Sequence, residues 1–226
     1  MADTLQVPGP PSESGWLVLL GGGEFSFGDT EQFDRFILSK MPAGNRHIAF
    51  LPTASGSTEY GRHLGHYFRG LDPTVELETV PVYRPRDARR GRNVERVRRA
   101  GLVYLGGGVT NTLLSTIRAT PVEEAIRDVQ ARGGVVAAIG AAASAAGSVA
   151  RSMVTVAAPI DGLGWIPETL IETGIEGVDD RRFRLLMSTP GLRLGIGIPA
   201  GNALAIGPDR NCLVLGDDTI VVLRKQ

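Results

Sequence analysis

Gly133-Gly134-Val135-Val136-Ala137-Ala138-Ile139-Gly140-Ala141-Ala142-Ala143-Ser144-Ala145-Ala146-Gly147-Ser148-Val149-Ala150-Arg151-Ser152 is the stretch whose reading decides the fold. Val135 to Ile139 is a short apolar run opened by a glycine pair, the pattern of a strand buried on both faces. At Gly140 it turns directly into small residues that pack closely, read here as a helix. Strand, sharp turn and helix together make the frame of a nucleophile elbow, in which a strained turn lifts one reactive side chain above a sheet. The frame is present, and the position of the reactive side chain holds glycine.

Outward from this stretch, strands and helices alternate. Trp16–Leu20, His47–Leu51, Val75–Val80 and Leu102–Leu105 read as strands. Helices are predicted from Asp29 or Thr30 as a cap, with Phe33, Phe36, Ile37 and Met41 on one side, and over Thr58–Leu71, Thr110–Arg118 and Pro121–Arg132, the last with proline in its first turn. The arginine-rich run Arg84–Arg99 reads as a solvated loop with a short helix, and less readily as a phosphate-binding arm. This rhythm gives right-handed crossovers and an α/β fold: a mainly parallel sheet with helices on both faces. Beyond the elbow, residues 159–177 look rich in turns, Asp179–Met187 looks helical, and short late antiparallel strands fall near Arg193–Ile198, Ala203–Ile206 and Cys212–Leu223. Residues 1–14, rich in proline, form a flexible lead, and residues 15–226 form one domain.

Composition narrows the classes. With 24 basic and 24 acidic residues the net charge is zero, so no long-range field favours nucleic acid or a membrane surface. The apolar share of 42% supports a real core over this length, and no apolar run approaches the length of a membrane span. The first residues lack the basic and apolar regions of a signal peptide, so a cytoplasmic location is expected. Cys212, the single cysteine, excludes an internal disulfide and reads as a small buried hydrophobe. No metal site and no cofactor are expected.

Three strands end in glycine: Gly21-Gly22-Gly23, Gly106-Gly107-Gly108 and Gly140. In an open α/β sheet, ligands sit beyond the carboxyl ends of the strands, where glycine lets backbone approach closely. Ser26 stands where the dinucleotide fingerprint needs glycine, and the phosphate-loop signature is absent. A crevice for a small molecule or short peptide is expected at this edge.

In this order the clusters resemble the cyanophycinase and dipeptidase E family of serine peptidases, from about Gly15 to the C-terminus. The likeness rests on Val18-Leu19-Leu20-Gly21-Gly22-Gly23-Glu24, on Ile48-Ala49-Phe50-Leu51-Pro52-Thr53-Ala54-Ser55, and on Tyr104-Leu105-Gly106-Gly107-Gly108-Val109-Thr110. It continues through the elbow, Gly162-Leu163-Gly164 with Pro167, and Gly195-Ile196-Gly197-Ile198 before Ala203-Leu204. The resemblance implies a class I glutamine amidotransferase-like, flavodoxin-like three-layer sandwich, a serine-type hydrolase, and a homodimer. It also implies a serine at the elbow and a histidine after the Gly-Leu-Gly segment. Those positions fall on Gly140 and Gly174. The polar pairs that the family places after the second glycine cluster and after Gly-Ile-Gly-Ile fall on Val109-Thr110 and Pro199-Ala200.

Three readings follow. In the first, the chain is a pseudoenzyme whose crevice, lined by Gly22, Gly23, Gly107, Gly108, Thr110, Gly140, Ala141 and Gly174, binds a small molecule, a peptide or a partner protein. In the second, a crevice carboxylate performs non-hydrolytic acid/base chemistry; Glu24 is the first choice, and Asp161, Glu168, Glu172 and Glu176 are also expected nearby. In the third, Ser144 is a relocated nucleophile. Against it, Ser144, Ser148 and Ser152 lie four apart, the spacing of one helix face packed by small residues. His47, His63 and His66 are the three histidines, and all precede the elbow.

Overall fold

The computed structural model describes residues 5–9, 15–155, 158–216 and 220–225. The first half runs β1 (Trp16–Leu20), α1 (Glu31–Lys40), β2 (His47–Leu51), α2 (Tyr60–Leu71), β3 (Glu76–Thr79), α3 (Gly91–Arg98), β4 (Leu102–Leu105), α4 (Thr110–Ile117), α5 (Pro121–Ala131) and β5 (Val135–Ile139). The second half runs α6 (Ala141–Ser144), β6 (Gly147–Arg151), β7 (Pro159–Asp161), β8 (Ile166–Thr173), α7 (Arg181–Met187), β9 (Leu194–Ile198), β10 (Ala203–Ile206), β11 (Cys212–Leu215) and β12 (Val221–Arg224).

The first sheet has the order β11-β10-β1-β5-β4-β2-β3. Strands β1 to β5 pair in parallel, while β10 and β11 join antiparallel beside β1. Alternation along each central strand feeds two cores, as expected of a parallel sheet covered on both faces. Val18, Leu20, Ile48, Phe50 and Tyr104 meet Phe33 and Ile37 of α1 and Leu64 and Phe68 of α2. Leu17, Leu19, Ala49, Leu51 and Val103 meet Leu113 and Ile117 of α4 and Val122 and Ile126 of α5. Helix α5 begins as its sequence suggests: Pro121 occupies the first turn and Thr120 Oγ1 accepts the Glu123 amide at 3.4 Å.

In the second half α7, β9 and β10 fall where the sequence placed them, whereas the segments after Gly140 depart from its reading. Helix α6 is a single turn of four residues, and the small residues after it enter a strand. Ser148 therefore lies on β6, not on a helix face shared with Ser144 and Ser152. The physical reason is backbone proximity: a Cβ at Gly147 would stand 2.5 Å from Thr169 O of β8, and one at Gly162 would overlap Gly147 O. The run of small side chains serves sheet pairing. Residues 159–177 contain β7 and β8, the latter eight residues long with Leu170, Ile171 and Glu172 buried. These strands form a second sheet, β12-β9-β8-β6-β7. One side of it, through Ile166, Ile171, Ile196 and Ile198, joins the core under α4 and α5; the other packs Leu170 against Phe183 and Leu186 of α7. The expected strand Cys212–Leu223 is accordingly two, one in each sheet.

One further expectation changes, and the short helix expected in the arginine-rich run is found. Residues 5–9, read as part of a loose lead, are pinned to the start of β11: Val7 is buried, its amide donates to Arg210 O at 3.1 Å, and Cys212 donates to Leu5 O at 2.8 Å. The remainder of the lead lies outside the described residues. The arginine-rich run forms a 3-10 turn and α3, with Val94 and Val97 in the core; Arg96 pairs with Glu78 of β3 at 2.9 Å, and Arg99 pairs with the same carboxylate.

At the start of α1, Thr30 holds the capping position, yet its hydroxyl turns inward and donates to Asp34 at 2.7 Å. Tyr67 of α2 donates to the same oxygen at 2.9 Å, and the Tyr104 phenol also faces this carboxyl. Burial outweighs these donors and lifts the Asp34 pKa to about 6. Between its unfolded value near 3.8 and about 6, the folded chain holds a proton that the unfolded chain has released. The stability from this group is therefore full below the lower value and is lost as pH rises through the upper one.

Two outcomes are expected. Urea unfolding of Asp34→Asn and wild type between pH 4 and 7 should show the variant gaining, relative to wild type, on the order of 3 kcal/mol across that range; a difference flat with pH contradicts the assignment. At Gly108, φ is +146° and an added Cβ would overlap the Ala54 backbone. Gly108→Ala should cost about 2 kcal/mol or more in the same assay, whereas Gly44→Ala, with open space around it, serves as the reference.

Candidate crevice and adjoining groove

The parallel strands β1, β2, β4 and β5 all end at one edge, and their loops meet there. Gly22, Gly23, Gly106, Gly107, Gly108, Gly140 and Ala141 line a cavity of about 420 Å³, with Glu24, Phe50, Ser55, Ser57, Tyr60 and Ile139 completing its walls. The close approach is a property of the glycines. A Cβ at Gly21 would overlap Pro199 O, so the loop after β9 rests directly on the loop after β1. Among the described residues, the amides of Gly23, Gly107 and Gly108 donate to no protein oxygen. They leave unused donors at the edge, suited to a carbonyl or carboxylate oxygen.

Gly140 holds the turn between β5 and α6 with φ 57° and ψ −118°, a backbone that L side chains rarely adopt. Its amide donates to Leu20 O at 3.0 Å, and its carbonyl accepts Ser144 N at 3.0 Å. A Cβ built there meets nothing within 4 Å. Gly140 thus makes a strained strand-to-helix turn with open space beside its Cα. Gly174, just after β8, repeats the condition: φ is +63° and the space around an added Cβ is open. It lies outside the cavity lining. Thr110, also proposed from sequence, is buried at the start of α4 and does not line the cavity.

Ser144 is buried at the end of α6, and its Oγ stands 3.0 Å from Thr173 Oγ1. No histidine lies in that contact. His47 stands at the opposite end of β2, 3.4 Å from Glu78. His63 and His66 face a separate groove described below. Of the carboxylates considered from sequence, Glu24 alone reaches the cavity. Its Oε1 accepts the Tyr60 hydroxyl at 3.4 Å and the Ser26 amide at 3.4 Å. Asp161 pairs with Arg118 at the surface, and Glu168 with Arg193. Glu176 borders another surface hollow. Glu172 is buried on the α7 side of the second sheet, bonded to Arg151 Nε at 2.6 Å; burial raises its pKa despite the arginine. Among the described residues, no three His, Cys, Asp or Glu side chains form a group able to hold a metal ion. Cys212 is buried, and burial pushes its thiol up to about 11.

Sequence reasoning missed the aromatic wall. Phe50 and Tyr60 stack at 5.8 Å between ring centroids, and Tyr60 separates the cavity from a larger groove of about 790 Å³ between α2 and the turn Phe25–Phe27. Tyr60 opens α2 directly after Ser55 and Ser57, so its place beside the β2 loop was the available signal.

Comparison with known proteins agrees with this architecture. A peptidase from an acI-B1 Actinobacterium superposes with a TM-score of 0.78 at 23% identity, covering 95% of this chain and 93% of that one. A putative peptidase E protein from Listeria monocytogenes EGD-e superposes at 0.61 with 15% identity, covering 94% and 100%. At these identities the likeness is one of fold. An uncharacterized peptidase of Bacillus subtilis (strain 168), YgaJ, is 31% identical over 129 residues, which take in 56% of this chain and 54% of that protein. Among the described residues, no helix is long and apolar enough to cross a membrane. The model of peptidase family S51 matches residues 17–212, and the chain belongs to that family.

Proposed function

We propose that this protein is a non-hydrolytic member of its family that binds a small molecule or short peptide in the crevice. The observation that carries the reading is Gly140: the turn keeps its strained geometry, faces the cavity, and offers no nucleophile. Nucleophilic catalysis needs a hydroxyl or thiol within reach of a base, with donors aimed at the same carbonyl. Here unused amide donors line the cavity, while no histidine does. Such an edge holds a carbonyl or carboxylate without attacking it.

One observation favours a second reading. Glu24 faces the cavity with a tyrosine hydroxyl on its carboxylate, an arrangement that supports proton transfer to a ligand bound against the glycines. In that reading Glu24→Gln abolishes turnover while the variant still binds the ligand.

Labelling with a fluorophosphonate probe tests the main reading. The wild-type protein is expected to remain unlabelled. Labelling that disappears in Ser144→Ala would overturn the proposal in favour of a relocated nucleophile. The double variant Gly140→Ser with Gly174→His is expected to acquire labelling, because both turns have open space for the new side chains. Labelling of Gly140→Ser alone, equal to that of the double variant, would show that a histidine at 174 supplies no base to the elbow.

A further inference from the structure

The groove between α2 and the turn Phe25–Phe27 is larger than the crevice and has a chemistry of its own. Its floor is aromatic. Phe25 stacks edge-on against Tyr60 with centroids 5.1 Å apart and lies 5.1 Å from Tyr67 at a tilt of 49°. Tyr60 and Tyr67 are held by their hydroxyls, the first on Glu24 and the second on buried Asp34, so both rings are fixed in place. Phe27, 83% exposed, stands at the end of the same turn.

Two arginines give the rim positive charge. Arg62, His66 and Arg69 are spaced i, i+4 and i+7 along α2, which places them in one row on one face of the helix; His63 stands beside them. All four side chains are exposed and line the groove. Among the described residues, none of them makes an ion pair or a hydrogen bond with a carboxylate. That is unlike Arg35, Arg46, Arg96, Arg99 and Arg151, each of which faces an acidic partner. The groove's own carboxylate, Glu24, is engaged with Tyr60 at the inner end. Arg69 is nine residues further along α2, about 13 Å away along the helix axis. Arg62 lies two residues beyond Tyr60 and Arg69 nine, so the positive charge of the arginines extends along the helix away from the crevice end.

We propose that this groove is a binding site for a planar apolar molecule bearing an anionic group. The ring system lies on Phe25, Tyr60 and Tyr67. The anion rests on the row Arg62, His66 and Arg69, away from Glu24. Neither feature suffices alone: exposed arginines by themselves bind simple anions weakly in water, and an aromatic floor by itself does not select charge. Together they select one class, because rings and guanidinium groups line one groove and Glu24 disfavours the reversed orientation.

Naphthalene-2-sulfonate is a suitable probe, measured by titration calorimetry or by protein-observed NMR at low salt. It should bind at least tenfold tighter than uncharged naphthalene-2-methanol and than inorganic sulfate. Arg62→Gln with Arg69→Gln should remove that preference and leave the naphthalene-2-methanol affinity unchanged; Tyr67→Ala should weaken both aromatic probes. Arg181→Gln, at an exposed arginine on α7, should change nothing. Equal affinity for the charged and uncharged naphthalenes, or a preference that survives the double arginine change, would overturn the proposal. Amide shifts confined to Gly23, Gly107 and Gly108 would do the same, because they place the probe in the crevice. The site does not depend on the elbow, so labelling of Ser144 would leave it standing.

Discussion

Backbone rests on backbone along the carboxyl edge of the first sheet, and the remaining architecture depends on that contact. The loop after β9 touches the loop after β1 at Gly21, and the turn after β2 touches the turn after β4 at Gly108. A side chain at either point would force the loops apart, opening the edge and shifting the strands behind it. The glycine clusters are accordingly structural before they are functional. By closing to backbone distance they create a small cavity lined by amide groups, and the helices of both faces are then hung from strands whose ends are already fixed.

A second constraint acts through the residues after Gly140. Ala141 to Gly147 complete one helical turn and re-enter as a strand, and at Gly147 the β8 backbone comes so close that no side chain fits. This one-turn helix joins the two sheets: its end is bonded to Thr173 at the end of β8, through Ser144. The strained glycine, the short helix and the second sheet are thus one continuous device.

The parallel half of the fold was legible because its signals are local. Val135–Ile139, Leu102–Leu105 and His47–Leu51 are apolar runs bounded by glycine or proline, and the helices between them show regular apolar spacing with proline or threonine at their starts. In the second sheet β9 was legible within Arg193–Ile198, whereas β6, β7 and β8 were not, since they carry weak local preferences. Ala145 to Ser148 has the composition of a helix, and β8 contains Pro167, Glu168 and Glu172, which read as turn and surface. Tertiary pairing overrides propensity in both places. At the crevice, the glycines were visible through order and spacing, whereas Tyr60 and Phe50 required knowledge of which loop lies beside which. Carboxylates fared worst: Asp161, Glu168, Glu172 and Glu176 follow the elbow in sequence, yet the second sheet carries them away from the cavity, leaving Glu24.

The hydroxyl of Tyr60 on the carboxylate of Glu24 forms a partition common to two spaces, the crevice and the aromatic groove. A shared wall has a thermodynamic consequence. Any occupant of one space that alters the position or protonation of this pair alters the free energy of occupying the other, and the effect is reciprocal by necessity. Two molecules bound on either side would read each other's presence through a single phenol and a single carboxylate, without any movement of the sheet.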